Sequence, residues 1–556
     1  MMNMKKASQI IILITSLAVM ILGTYLFDVL FADLAAPTFS MQSGFYKDPI
    51  ALEITTNRDA EIYYTLDGSE PTHESIRYEG PICLTDPSNQ PNVYSARDDL
   101  SAAFYAEPDR FAVPQDPVDK ANVIRAVVIS HDGKEISPIS TATYWIGDRM
   151  EKYLETDVIS LVTDPENLFD YEKGIYVAGK TFDTFVSSGA RDAMDDPDHW
   201  RRWIANYSNS GRDWERPVHF DLIGPDGHLT VTDDAGIRIK GGTSRSFTKK
   251  SFRLYARKEY SGRDAFAIPF FEPYGRSKIA LFSGAQDYRT MMQDALISYA
   301  ARDMNFEVLQ SKPCTVFLNG EYWGFYWIME EICEEYLTEH YSLPKDEAVI
   351  IKNGHPKTEG EKSDACIDAW NDLADADEPI DDALYEKICN AIDIFSYIDY
   401  YAAEIYIARG YNDWPRYNEA SWRSTEDLGT NRCDGKWRWM LFDTNWSCLD
   451  DWEDDTIAYT MEHSSLFARL MAYKPFKQAF LDRLETLGDY EFDPIRLAPE
   501  FSYLCELLRE PAAWDLKQYY GDNKSAEEFD EEIASIATFL QNRPTYIKDL
   551  VESYRK

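Results

Sequence analysis

No C-x-x-C pair occurs among the eight cysteines, which leaves a zinc ribbon or a thioredoxin-like centre without its ligands. Basic residues are scarce. Lys and Arg number 56 against 96 Asp and Glu, a formal charge of −40, and nucleic acid or an anionic membrane surface would repel such a chain. The acidic residues are spread out, with short runs such as Asp450-Asp451 and Glu453-Asp454-Asp455. They read as a well-hydrated surface on which local clusters can take divalent cations. The glycine-rich turn GIRIKGGTSR does not end in Gly-Lys-Ser/Thr, so it is not a P-loop, and no internal repeat is visible.

Aromatic residues are plentiful, at 14% with 36 Tyr and 14 Trp. They can fill large cores, and 556 residues imply two or three domains. The chain starts Met-Met-Asn-Met-Lys-Lys and continues as an uncharged apolar run from Ala7 to Phe27, long enough to cross a bilayer as a helix. Lys5 and Lys6 place the body outside the cytoplasm. Ala32, Ala35 and Ala36 are poorly spaced for signal cleavage, which favours an uncleaved anchor in 1–35 over a secreted form. Outside the cytoplasm Cys433 and Cys448 could pair, although most of the cysteines read as small buried apolar residues.

Alternating segments 51–56 and 61–66, turns at Asp67-Gly68 and Asp132-Gly133, and strands near 123–129 and 140–145 predict a small β-sandwich over 36–147. Within it, 86–118 reads as an irregular insertion. From 148 the pattern changes. Strands at 157–162, 220–223, 236–240 and 251–256 precede a helix over 287–304 and a hairpin at Asn319-Gly320. A long helical region from 365 to 408 and helices from 466 onward follow. Strands first and helices later predict an α+β domain over 148–556, with a β-rich lobe leading an α-rich one.

The stretch YNDWPRYNEASW…WRWMLFDTNW carries the chemistry. Asp413 is followed by Asn418 five positions on, and Asp443 ends an apolar strand. A protein-kinase site uses such groups in this order: a carboxylate for the acceptor hydroxyl, then an amide and a carboxylate for the metal. Turn formation is the plainer alternative for each. In GIRIKGGTSRSFTKK, Gly241 and Gly242 let backbone amides approach phosphate, and a bare hairpin turn is the alternative. Strand alternation turns one of Lys249 and Lys250 inward. Such a lysine could clamp phosphates, unless both are solvated edge-strand residues. Asp294 on the predicted helix is placed to pair with that lysine, and Glu330 and Glu331 fall where a hinge would lie.

VISLVTDPENLFDYEKGIYVAG, WERPVHFDLIGPDG, GIRIKGGTSRSFTKKSFRLYARKEY, FLNGEYWGFYWIMEEICEEYLTEHY and NDWPRYN with WMLFDTNW, in this order, resemble the spore-coat CotH kinase family. EIYYTLDGSEPT resembles the β-sandwich at the C-terminus of chitobiases and hexosaminidases, which implies a spacer or a weak glycan binder. The first resemblance implies an atypical protein-kinase-like two-lobed fold and ATP-dependent phosphorylation of Ser or Thr on secreted, coat or cell-surface proteins. It implies Asp413 as the catalytic-loop residue and Asn418 and Asp443 as ligands of Mg2+ or Mn2+. Gly241, Gly242, Arg245, Lys249, Lys250 and Glu330 are the candidates around ATP, with Lys250 on the phosphates. Members often carry a second acidic residue two positions beyond the metal-binding Asp, where this chain has Asn445, and an Arg where it has Gln293. The rival readings are a pseudokinase and a glycan-attached wall protein without turnover.

Overall fold

The structure is a computed structural model. It describes residues 33–556 except 109–110, 112, 272–274, 285–286, 288, 410–413, 416, 446, 449–450 and 521–525. The apolar run 7–27 lies outside these residues. Among the described residues no helix is long and apolar enough to cross a membrane.

The N-terminal module is built as read. A five-stranded sheet carries Gly44–Tyr46, Ser140–Ile146, Asn122–Ile129, Glu61–Thr65 and Ile76–Arg77 in that order, and two strand pairs complete the module. Alternation along Asn122–Ile129 sends Ile124, Ala126 and Val128 into one core with Ala142 and Tyr144. The insertion 86–118 leaves this core. Its Tyr94, Leu100, Ala102, Ala103 and Phe111 join the core of the next body instead.

That body is a closed barrel of seven strands. Its order is Asp157–Val162, Arg216–Ile223, Leu229–Lys240, Ser251–Tyr255, Lys278–Phe282, Glu321–Met329 and Ser311–Leu318. The ring closes where Ser311–Leu318 runs parallel to Asp157–Val162, and closure leaves no free edge. Ile237, Ile239, Phe252 and Leu254 fill the interior. Arg238 and Lys240, and across from Arg238 the side chain of Arg253, alternate with these residues and lie on the outer face. The Asn319-Gly320 turn has positive φ at both positions, 46° and 85°, the twist that a two-residue hairpin needs.

Glu321–Met329 is buried along its whole length and serves two cores. A bulge opposite Val316 and Phe317 leaves Trp323 out of the pairing, next to Gly324 with φ 123°, and it shifts the side-chain alternation by one residue. Trp323, Tyr326 and Ile328 then face the barrel interior, while Phe325, Trp327 and Met329 face the helices.

The second body has a five-stranded sheet, Glu307–Val308, Arg438–Leu441, Ala420–Ser424, Ala348–Lys352 and His355–Pro356, packed among helices. The predicted helical region 365–408 is three helices, Glu361–Ala374, Asp382–Ala391 and Ile394–Tyr406. Asp381 and Asp393 break it by capping the second and third with their carboxylates. The helix read over 287–304 is confined to Gln293–Ala301. Ahead of it Met291 has φ 55°, and the buried Asp287 accepts the N–H groups of Thr290 and Gln293. The helices Lys474–Leu487, Pro494–Tyr520 and Ala526–Arg555 close the chain. All eight cysteines are free. Cys433 packs beside Trp422 and Met440, and Cys448 belongs to the larger helical core.

Candidate functional site

Sheet register assembles one half of the site. Lys352 pairs with Ala420, and Ala420 pairs with Met440. This brings Lys352, Asn418 and Asp443 to one end of the second sheet. Asn418 and Asp443 both have left-handed backbones, φ 55° and 58°, a conformation that Asn and Asp adopt more readily than other non-glycine residues. At Asp443 the groups that hold it are visible. Buried Arg409, paired with Glu404 at 3.1 Å, donates to the Phe442 carbonyl at 3.1 Å and to the Asp443 carbonyl at 2.6 Å. From the other side Asp294 accepts the N–H and the hydroxyl of Thr444, each at 2.7 Å. Burial raises the Asp294 carboxyl, the Thr444 bonds oppose this, and the charge of Asp443 adds to the rise. Asp294 therefore holds the carboxylate strand, where a pair with a lysine was expected. Asn445 is buried and donates to the Gly284 carbonyl at 3.5 Å. The Gln293 amide, oriented to satisfy its neighbours, donates to the Asn445 carbonyl at 2.7 Å.

The barrel supplies the other half. Arg253 donates to Glu331 at 2.6 Å, and Lys240 lies 3.7 Å from the same carboxylate. Burial would raise the Glu331 carboxyl, but Arg253, Lys240 and Lys352 outweigh it and hold it at about 2. Lys352 has its ammonium 3.9 Å from the centre of the Phe442 ring. Burial first, then Lys240, push it down to about 8. Glu331 and Asp443 pull the other way, and Arg253 adds to the depression. Three cations and two carboxylates thus share one field where the barrel meets the sheet end.

The glycine-rich segment is a ten-residue loop with a single helical turn at Thr243–Ser246, more than the simple hairpin turn considered from sequence. Gly241, at φ 120°, is required there, since an added Cβ would meet the Ser244 hydroxyl at 2.2 Å. Gly241 and Gly242 are exposed. Arg245 folds back as a latch, donating to the Gly241 carbonyl at 2.7 Å and the Asn209 carbonyl at 2.8 Å. Lys250 is not brought to the sheet end. It is fully buried, donates to the Phe247 carbonyl, and lies 4.1 Å and 5.0 Å from the Tyr207 and Tyr176 ring centres. Burial drives it well below the ordinary lysine range. Lys249 is turned away as well, paired with Asp515 and donating to the Phe325 carbonyl at 2.5 Å. Glu330 is spent inside the chain on Arg276 at 2.9 Å, His340 at 2.7 Å and the Gln310 N–H at 2.8 Å. Asp413 lies outside the described residues.

Sequence reasoning passed over Lys240, Arg253 and Lys352. The signal that singled out Asp443, a charged residue ending an apolar strand, applies equally to Lys352 after Ala348–Ile351 and to Lys240 before the glycines.

Residues 237–547, more than half of the chain, match the family model described as CotH kinase protein. The chain belongs to the CotH kinase family. Residues 50–144 match the model described as Fn3 associated, and the matched span covers most of the N-terminal β-module. No curated protein matches the chain. Kinase families use ATP and a divalent metal, and the residues here fit both. Lys240, Arg253 and Lys352 suit a polyanion. The oxygen donors of Asp443 and Asn418 suit a hard cation that keeps waters and substrate phosphates in its shell. Among the described residues no group of three or more His, Cys, Asp or Glu could hold a metal ion by itself.

Proposed function

We propose that this CotH-family chain is an ATP-dependent protein kinase acting on Ser or Thr hydroxyls of proteins outside the cytoplasm, held at the membrane by the apolar run 7–27. The observation that carries the reading is the convergence of Lys240, Arg253 and Lys352 on the sheet end that bears Asn418 and Asp443. In this reading 148–556 is an atypical two-lobed kinase domain. The barrel is the small lobe, the sheet and helices are the large lobe, and Glu330–Glu331 links them.

ATP supplies the activated phosphoryl group. Lys240, Arg253 and Lys352 hold its phosphates and screen their mutual repulsion. Asp443 and Asn418 hold the metal, and the clamps from Arg409 and Asp294 keep the Asp443 backbone in place before any ligand arrives. Asp413 orients the acceptor hydroxyl and takes its proton. Lys250 and Arg245 shape the glycine-rich loop from behind, in place of the direct phosphate contact read from sequence.

The test is phosphate transfer from labelled ATP by the full chain, beside Asp413→Ala and Asp443→Ala. Label on protein in the wild type, lost in both variants, is the expected result. ATP binding without transfer would leave a pseudokinase. Neither binding nor transfer would leave a wall or glycan-binding protein.

A further inference from the structure

An anion-binding loop works only if its carbonyl oxygens are turned away, since an unengaged carbonyl presents negative charge to the ligand. In the glycine-rich loop most carbonyls are engaged by donors of the chain. Arg245 takes that of Gly241, the Ser246 hydroxyl that of Thr243, Lys250 that of Phe247, the Tyr176 hydroxyl that of Thr248 and the Tyr326 hydroxyl that of Lys250. The carbonyl of Ser246 accepts the hydroxyl of Ser101. Arg245 and Lys250 belong to the loop, and Tyr176 to the barrel body. Ser101 comes from the insertion of the N-terminal module.

The Ser101 hydroxyl is well determined. Its oxygen accepts the Ala103 N–H at 3.0 Å, which leaves its own proton for Ser246. The next residue, Ala102, donates its N–H to the Tyr207 hydroxyl at 3.2 Å, and the ring of Tyr207 is the one lying 4.1 Å from the Lys250 ammonium. Below the loop, Phe111 meets Trp200 edge-on at 5.4 Å, and Trp200 meets Phe247 at 5.7 Å. The insertion is itself fixed to the barrel. The Glu321 carboxylate accepts the N–H groups of Val93, Tyr94 and Ser95 at 2.6, 3.1 and 2.7 Å.

We infer that the insertion of the N-terminal module is a built-in support of the nucleotide-binding loop, with Ser101 as the positioning residue that fixes the end of the loop's Thr243–Ser246 turn. The module then contributes to ATP affinity from outside the part that matches the kinase family. This rests on the kinase reading, in which the loop faces ATP.

The experiment is calorimetric titration of the full-length chain with ATP and Mg2+, together with thermal unfolding. Ser101→Ala removes one hydroxyl and is expected to weaken ATP about three- to tenfold, the scale of one hydrogen bond. KM for ATP should rise with kcat at saturating ATP little changed, and Ser101→Thr should restore both. Ser43→Ala is the control. Ser43 also bridges module and barrel, donating to Asp221 at 2.6 Å, but it makes no contact with the loop, so it should lower the melting temperature without moving ATP affinity. Unchanged affinity in Ser101→Ala, or an equal loss in Ser43→Ala, would overturn the proposal. A wild type that binds no ATP would instead overturn the kinase reading, and this proposal with it.

Discussion

Lys250, behind the glycine-rich loop, and Lys352, at the end of the second sheet, are both held below the ordinary lysine range, and the causes differ. Burial alone lowers Lys250. Its ammonium meets a carbonyl and two tyrosine rings, so its surroundings are complete. Lys352 is lowered by burial and then by the cations Lys240 and Arg253. Among the described residues it forms no ion pair. A bound anion would do nothing for Lys250 and would relieve Lys352. The first lysine belongs to the architecture of the loop, and the second is the one whose depression a ligand's charge could offset. A depressed lysine therefore marks a binding site only when its depression comes from charges that a ligand could offset.

The contrast breaks most easily at the carboxylates. If the sheet end performs the chemistry, Asp413→Ala should lower kcat by about 10²–10⁴, the usual yield of a positioned acid–base group. Asp443→Asn, which keeps a residue that tolerates the left-handed backbone, should remove metal-dependent transfer, with the melting temperature nearly unchanged in both variants. A loss of fold instead of rate would mean that these residues are structural. Lys250→Met should behave in the opposite way. It leaves the Phe247 carbonyl unpaired in a buried place, at a cost of roughly 1–3 kcal/mol, while lifting the burial penalty on the amine, so its denaturant midpoint should fall furthest below the wild type at high pH, where the wild-type amine carries no such penalty. ATP affinity should fall only as far as the loop shifts. If Lys250→Met abolished ATP binding in a fully stable protein, the lysine would be a phosphate ligand after all.

Which parts of this were legible beforehand follows from what each signal encodes. Alternation and turn chemistry located the barrel strands around 157–162, 236–240 and 251–255 and the Asn319-Gly320 hairpin, because period and φ are local properties. Apolar strands ending in charge located Asp443 and would have located Lys352. The choice between Lys249 and Lys250 was not legible. Alternation says that two neighbours face opposite ways, but both faces are covered here, one by Tyr176 and Tyr207 and the other by Asp515 from a helix far along the chain. Gly324 shows the same limit. The bulge beside it swaps the faces of Phe325 to Met329, and its lack of a Cβ admits the Lys249–Asp515 pair, since a Cβ would lie 2.9 Å from both partners. Long-range contacts settled these positions. The role of the insertion 86–118 was hidden for that reason too, since nothing in its composition names the barrel as the body that it joins.

The smallest expected effect is the most diagnostic, because its sign is unusual. Lys352 has a folded value of about 8 against an ordinary value of 10.5, so between those pH values the unfolded chain binds more protons than the folded one. Folding stability must then rise with pH from about 8 to about 10.5, and below 8 the full penalty of holding this charge is present. Lys352→Met removes that penalty. The variant should be more stable than the wild type at pH 7, and its advantage should shrink steadily as pH rises through the window, measured by denaturant unfolding at several pH values. ATP binding should show the mirror image. Phosphates favour the charged lysine, so wild-type affinity should weaken as pH rises past 8, and Lys352→Met should bind ATP more weakly at pH 7 with no such slope. A variant that is less stable at pH 7 and keeps the wild-type slope would place Lys352 with Lys250, as part of the packing, and would leave Lys240 and Arg253 to hold the phosphates alone.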